Sequence, residues 1–149
     1  MVKLKEGYKI PSFTNRLQSG ATITQEDLSK GKVVLYFYPQ DNTPTCTEEA
    51  CNLRDHYAAL QHAGFKIYGV SPDSERKHQN FIKKYQLPFE LISDPELTLI
   101  KKFGVWGPKK LFGREYDGVL RTTFVLENGI VRRIIDEVKS KSHAAQILQ

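Results

Sequence analysis

The chain has 149 residues, 40% of them hydrophobic and 26% charged, which is ordinary for one domain, so we expect a single domain over residues 1–149. The start of the sequence lacks a signal-peptide core, two cysteines are too few for a secreted disulfide scaffold, and no apolar stretch approaches the roughly 20 residues that cross a bilayer. The net charge of +5 comes from scattered basic residues, not from a concentrated stripe, so we expect a cytoplasmic protein that binds neither membrane nor nucleic acid.

The first predicted element is an N-terminal β-hairpin. Residues 13–17 and 21–23 have strand character and flank a Ser19-Gly20 turn signal. The following run, residues 33–38, is apolar without alternation, which is typical of a strand covered on both faces in the middle of a sheet. Pro39 ends this strand because proline cannot continue the hydrogen-bonded ladder.

A helix is predicted from about residue 44 to residue 64, because apolar residues recur there at helical spacing and Gly64 is a suitable stop. Its beginning has two registers. Either Thr43 caps the helix with Pro44 at the first position, or Thr45 and Glu48 form a capping box. In both registers Cys46 lies in the first turn.

The rest of the chain alternates strands and helices. Strands at residues 65–70 and 89–92 flank a helix at residues 74–85, which predicts a parallel β-α-β unit. Two further strands, at residues 122–126 and 130–135, flank Asn128-Gly129, a strong hairpin signal. The remaining predictions are a helix at residues 95–103, a loop at residues 104–118 and a terminal helix at residues 142–149.

Cys46 and Cys51 are the only cysteines of the sequence. Most free cysteines in cores are simply small buried hydrophobes. The position of Cys46 instead indicates a reactive residue, because a strand end followed by a helix N-terminus is where α/β proteins place reactive groups. The helix dipole and the unpaired N–H groups of the first turn favour the reactive thiolate.

The spacing of the two cysteines sets a geometric condition. Positions five apart on an ideal helix have Cα atoms about 9 Å apart. A disulfide tolerates at most about 7 Å. The sequence therefore predicts either two independent thiols or a helix that changes state with oxidation.

Zinc binding is the alternative role for the cysteines. A structural zinc ion requires about four ligands. The histidines stand at no recognisable spacing from the cysteines, so we interpret them as ordinary surface or partly buried side chains: His56, His62, His78 and His143. We therefore expect no metal site.

The segment Pro39-x-x-x-Thr43-x-x-Cys46 resembles the active-site signature of the peroxiredoxins. The continuation to Cys51, Cys-Thr-Glu-Glu-Ala-Cys, resembles the bacterioferritin comigratory protein (PrxQ) subfamily. The similarity extends over nearly the whole chain, through residues 69–73, 93–94, 103–107 and 118–125. Together with the element order, it implies an α/β, thioredoxin-like fold, in which a central mixed sheet is flanked by helices and preceded by the N-terminal β-hairpin.

The resemblance implies a thiol-specific peroxidase that reduces hydrogen peroxide and organic hydroperoxides. Cys46 would attack the peroxide and become a sulfenic acid. Thr43 would bind the peroxide, Arg121 would stabilise thiolate and peroxide, and Pro39 would shield the thiolate from water. Three further residues are candidates for the pocket: Glu49, which could orient Arg121, and Trp106 and Phe112, which could line the rim.

Cys51 matches the resolving cysteine of this subfamily. It would form an intramolecular Cys46–Cys51 disulfide that thioredoxin or a similar dithiol donor reduces. An intramolecular resolving cysteine removes the need for a partner subunit, so we expect a monomer, with a weak dimer as second choice. The resemblance implies no metal, flavin or haem cofactor.

Two other functions compete with the peroxidase. A thioredoxin-like disulfide oxidoreductase normally has Cys-x-x-Cys, which this chain lacks. A peroxide-sensing or chaperone-like binding module would use the same thiol chemistry as a signal. Peroxide consumption coupled to thioredoxin oxidation separates the peroxidase from both.

Overall fold

A computed structural model describes residues 4–149, and within this range the strands form a seven-stranded mixed sheet and a separate two-stranded hairpin. Helices lie against the large sheet, as the α/β prediction requires. The strands are β1 (Thr14–Leu17), β2 (Thr22–Thr24), β3 (Lys32–Phe37), β4 (Phe65–Ser71), β5 (Glu90–Ser93), β6 (Trp106–Leu111), β7 (Arg114–Val119), β8 (Thr122–Glu127) and β9 (Ile130–Ile135). The helices are α1 (Pro44–Asp55), α2 (Tyr57–His62), α3 (Glu75–Tyr85), α4 (Thr98–Lys102) and α5 (His143–Leu148), with a 3₁₀ turn at Ser140–Ser142.

The central strand is β3, as the unbroken apolar run predicts. It lies between β4, which runs parallel to it, and β8, which runs antiparallel, in the strand order β2-β1-β5-β4-β3-β8-β9. Because side chains alternate along a strand, Val33, Leu35 and Phe37 enter one apolar cluster while Val34 and Tyr36 enter another on the opposite face. The loop that leads to Cys46 therefore starts at the end of a central strand that is covered by apolar side chains on both faces.

The N-terminal hairpin is confirmed. β1 pairs with β2 antiparallel and joins the large sheet through β5, where Arg16 is opposite Ser93. The turn contains Gly20, whose φ of +88° lies in the left-handed region that glycine tolerates.

The long predicted helix is divided in two at His56, which has φ −110° and ψ 16° and so leaves the helical conformation. α1 begins with Thr43 as N-cap and Pro44 at the first position, so the first of the two predicted registers is correct. The predicted stop is also correct, since Gly64 takes φ +94° after α2.

The predicted loop at residues 104–118 is wrong. These residues form the β6–β7 hairpin, with Trp106 opposite Val119. Phe112 and Gly113 at its tip both have positive φ, 52° and 78°, as a two-residue hairpin turn requires. The sequence obscured this hairpin because phenylalanine is not a usual left-handed residue. In addition, half of β6 and most of β7 are solvent-exposed, without an apolar alternation.

None of the helices within residues 4–149 has both the length and the apolar character needed to span a membrane.

Candidate active site

Cys46 lies in the first turn of α1 and is 2% exposed, within the apolar cluster that also holds Tyr36 and Tyr38. The helix starts here because Pro44 fixes a helical φ at a position where its missing N–H costs nothing. The sulfur is therefore close to the unpaired N–H groups and the positive end of the helix dipole. This geometry favours negative charge on the sulfur.

Arg121 brings a full positive charge to the same sulfur. It stands between the end of β7 and the start of β8, and its Nη2 donates to Cys46 Sγ at 3.1 Å. Its Nη1 donates to Glu49 Oε1 at 2.6 Å. One guanidinium therefore holds two acidic side chains that lie almost one helical turn apart on α1.

The charge state of Arg121 follows from these two contacts. Burial alone lowers the pKa of the guanidinium, but the negative charges of Glu49 and of a Cys46 thiolate, with the hydrogen bonds to both, outweigh burial and raise that pKa above its usual value. Arg121 is therefore a cation at neutral pH.

Glu49 is fully buried, and its second oxygen faces another fully buried side chain. Glu49 Oε2 lies 3.0 Å from His143 Nδ1 at the start of α5. His143 Nε2 lies 2.8 Å from the hydroxyl of Thr123 on β8. Polar contacts thus run without interruption from Thr123 through His143, Glu49 and Arg121 to the sulfur of Cys46.

A second cation, Lys109 on β6, is close enough to Arg121 and Cys46 to interact with their charges. Its Nζ donates to Val119 O at 2.9 Å. Burial, followed by the charge of Arg121, lowers the pKa of Lys109, while the negative charge of Cys46 opposes that shift. Lys109 therefore adds a second positive charge whose field reaches Cys46 and Arg121.

Cys51 is half-buried on the same helix as Cys46, and both are free thiols. α1 is helical at every position between them. The ideal-helix separation of about 9 Å between their Cα atoms therefore applies, and it is too long for a disulfide.

The remaining predicted site residues are more dispersed. Thr43 immediately precedes α1, and its hydroxyl donates to Gln40 O at 3.2 Å. Pro39 lies in the loop between β3 and α1, half-buried. Trp106 packs against the apolar cluster on the sheet face opposite Cys46. Phe112 is 96% exposed and lines a surface cleft with its own hairpin neighbours, so the structure does not bring it to Cys46.

Residues 7–134 match the AhpC/TSA family. The chain is 43% identical to peroxiredoxin Bcp of Bacillus subtilis, over 96% of this chain and 92% of that protein. It is 36% identical to peroxiredoxin Bcp of Escherichia coli, over 99% of this chain and 96% of that protein. The structure resembles that of the Xanthomonas campestris bacterioferritin comigratory protein, with a TM-score of 0.84, 34% identity, and coverage of 91% of this chain and 87% of that one.

The chain belongs to the AhpC/TSA family. Within it, the chain is a Bcp-type peroxiredoxin, and its fold is the thioredoxin-like fold of the peroxiredoxins.

The peroxiredoxin contains a second buried polar cluster, formed by Asp41, Asp73 and His78, whose candidate ligand atoms all lie within 4.8 Å of one another. His78 Nδ1 contacts Asp41 Oδ2 at 2.6 Å, and the N–H of Asp41 donates to Asp73 Oδ2 at 2.7 Å. The hydroxyl of Tyr38 donates to Asp41 Oδ1. Since these contacts occupy the same atoms that a metal would bind, we interpret the cluster as a hydrogen-bond network that fixes the loop after β3.

The interpretation of all four histidines as ordinary side chains is wrong for two of them. His78 and His143 are both 0% exposed, and each contacts a buried carboxylate. Their partners lie far away in the sequence, so no local spacing indicates the contacts. Thr123 and Lys109 were missed for the same reason.

The ion pair between Arg121 and Glu49 generates a stability prediction. In Arg121→Met, Glu49 keeps its buried position but loses its cation, so we expect a loss of about 3 kcal/mol in the free energy of unfolding, measured by urea denaturation. Arg132→Met is the control, because Arg132 and its partner Glu127 are both exposed, and it should cost at most about 1 kcal/mol. Equal losses in the two variants would contradict this account of the buried pair.

Proposed function

We propose that this peroxiredoxin reduces hydrogen peroxide and organic hydroperoxides with Cys46 as the nucleophile. The observation that carries the proposal is the 3.1 Å contact between Arg121 Nη2 and Cys46 Sγ in the first turn of α1. A buried sulfur that accepts from a permanent cation is suited to exist as the thiolate, which is the nucleophilic form. The X. campestris relative is described as having alkyl peroxide reduction activity, which supports organic hydroperoxides as substrates.

In the first step, the Cys46 thiolate attacks one oxygen of the peroxide. An S–O bond forms while the O–O bond breaks, and the departing oxygen takes the bonding electron pair and a proton to leave as water or an alcohol. Cys46 is thereby oxidised to the sulfenic acid. Arg121 can donate to the sulfur and to the peroxide oxygens, and Thr43 at the start of α1 supplies a hydroxyl for the bound peroxide.

In the second step, the thiolate of Cys51 attacks the sulfur of the sulfenic acid. An S–S bond forms, the S–O bond breaks, and the oxygen leaves as water after taking up a proton. Because both cysteines lie within α1, the turns that separate them must unwind first. The same helix therefore activates Cys46 when it is folded and permits the disulfide when it is open.

In the third step, a dithiol reductant such as thioredoxin restores both thiols by exchange. One of its thiolates attacks the Cys46–Cys51 bond, and its second thiol resolves the mixed disulfide, so the reductant is oxidised. This cycle fits a reducing compartment such as the cytoplasm. It also needs only one subunit, which supports a monomer.

The C-terminal end of the chain resists the opening of α1. Asn52 of α1 donates to Lys141 O at 2.8 Å and accepts from the N–H of Ala144 at 2.8 Å. One turn earlier, Glu48 accepts from the hydroxyl of Ser140. We call Ser140, Lys141 and Ala144 the C-terminal clasp. These bonds must break if α1 unwinds around Cys51.

The two cysteines have different roles in this cycle, and serine variants separate them. Cys46→Ser should abolish peroxide turnover with a thioredoxin system, because the nucleophile is gone. Cys51→Ser should consume about one peroxide per chain and then stall or accept another thiol, because only resolution is lost. Peroxide consumption and NADPH oxidation, followed together, measure both effects, and full activity in Cys46→Ser would exclude the mechanism.

The clasp predicts a variant that forms the disulfide faster. Asn52→Ala removes two hydrogen bonds of about 1 kcal/mol each between α1 and the clasp. We expect the Cys46–Cys51 disulfide to form up to about thirtyfold faster after a peroxide pulse, measured by quenched-flow alkylation and mass spectrometry.

Asp55→Ala is the matched control for this variant, because Asp55 lies on the exposed face of α1 and its ion pair, with Arg54, stays within the helix. It should leave the rate of disulfide formation unchanged. An Asn52→Ala rate equal to that of wild type would show that the clasp does not limit opening.

A further inference from the structure

His143 is a fully buried, ionisable side chain that the proposed reaction steps leave without a role. Its ring lies edge-on to Tyr36 of β3, with centroids 5.7 Å apart, and its two nitrogens face Glu49 and Thr123. Burying a histidine costs free energy unless its nitrogens find partners. Its partners here belong to the polar contacts that end at Cys46.

The carboxylate of Glu49 can only accept, whereas the hydroxyl of Thr123 can donate or accept, so the chemistry of these two partners assigns the roles of the two His143 nitrogens. Thr123 Oγ1 can donate to Nε2, which then needs no proton of its own. Nδ1 is left as the donor, and the nearest acceptor is Glu49 Oε2 at 3.0 Å. This assignment pairs Nε2 with the Thr123 hydroxyl and leaves the proton of Nδ1 on the side of Glu49 Oε2.

The contact with Glu49 matters because only one of the two carboxylate oxygens of Glu49 accepts a hydrogen bond from the described part of the chain. Oε1 accepts from Arg121, while Oε2 has no well-aligned hydrogen-bond partner among residues 4–149 and depends on the nearby Nδ1. The same holds for Nδ1, which faces only Oε2 within that part of the chain. The negative charge of Glu49 also reaches Tyr36, where burial first and then this charge raise the pKa of the phenol well above its usual value and keep it neutral.

We propose that His143 is a positioning residue for peroxide reduction: its Nδ1–H fixes the Glu49 carboxylate, and Glu49 in turn aims the Arg121 guanidinium at the Cys46 sulfur. The two terminal nitrogens of Arg121 belong to one rigid guanidinium, and one donates to Glu49 while the other donates to the sulfur of Cys46. A rotation of the carboxylate therefore moves the nitrogen that faces the sulfur. His143 touches neither the sulfur nor the peroxide. The inference rests on Cys46 being the nucleophile, as proposed above.

The test measures the second-order rate constant for oxidation of Cys46 by hydrogen peroxide in a Cys51→Ser background, which isolates the first step from resolution. His143→Leu should lower this rate constant by about tenfold, less than the loss of 100-fold or more that follows removal of a direct donor. Unfolding curves for each variant show whether it remains folded under the assay conditions.

Two amide variants separate positioning from packing. Asn at position 143 can place an N–H where Nδ1 lies and keep the donor to Glu49, whereas Gln places its amide near Nε2 and serves Thr123 instead. His143→Asn should therefore retain most of the rate constant of the Cys51→Ser parent. The rate constant of His143→Gln should be as low as that of His143→Leu. Equal rate constants for Asn and Gln would overturn the proposal, and the comparison stands even if the Leu variant does not fold.

A double-mutant cycle with Glu49→Gln gives the second readout. If His143 acts through Glu49, His143→Leu should lower the rate constant far less in the Glu49→Gln background than in the Glu49 background. Additive effects would overturn the proposal. A Cys46 that peroxide does not oxidise in the Cys51→Ser parent would instead overturn the proposed function, so the two failures are distinguishable.

Discussion

Two acidic groups and one permanent cation share a largely buried site at the N-terminal end of α1. Arg121 holds Glu49 at 2.6 Å and Cys46 at 3.1 Å, and both acceptors lie on the same helix. Removing Arg121 leaves the buried carboxylate of Glu49 without its cation, which is the costly case for ion pairs. The position of α1 against β8, and with it the position of the thiol, depends on this contact.

The proposed cycle requires α1 to be folded at one step and open at another. The folded helix buries Cys46, supplies N–H groups to its charge and carries Glu49 to Arg121. The disulfide with Cys51 needs the same turns to open. α1 already ends at His56, where the backbone leaves the helical conformation, and its outer side is held by a few hydrogen bonds to the C-terminal clasp. These hydrogen bonds are individually weak, so the part of α1 around Cys51 can be well ordered and still open locally.

The sequence predicts those parts of the fold that local rules control. The unbroken apolar run places β3 in the middle of the sheet, and Thr43-Pro44 sets the start of α1. The β6–β7 hairpin escapes prediction because Phe112 takes a left-handed conformation that its residue type does not indicate. The partners of Glu49 lie at Arg121 and His143, and only the folded sheet and the packing of α5 bring them together. Spacing in the sequence cannot reveal such contacts, whereas the family resemblance indicates Arg121.

Amide hydrogen exchange across α1 tests most directly whether one helix both activates the thiol and opens for the disulfide. Reduced protein and protein with a confirmed Cys46–Cys51 bond would be compared by mass spectrometry, with β3 as the internal reference and peroxide-treated Cys51→Ser as the control without the bond. We expect protection to fall over residues 44–54 in the disulfide form alone, while β3 is unchanged. A confirmed disulfide with unchanged protection over those residues would contradict the account.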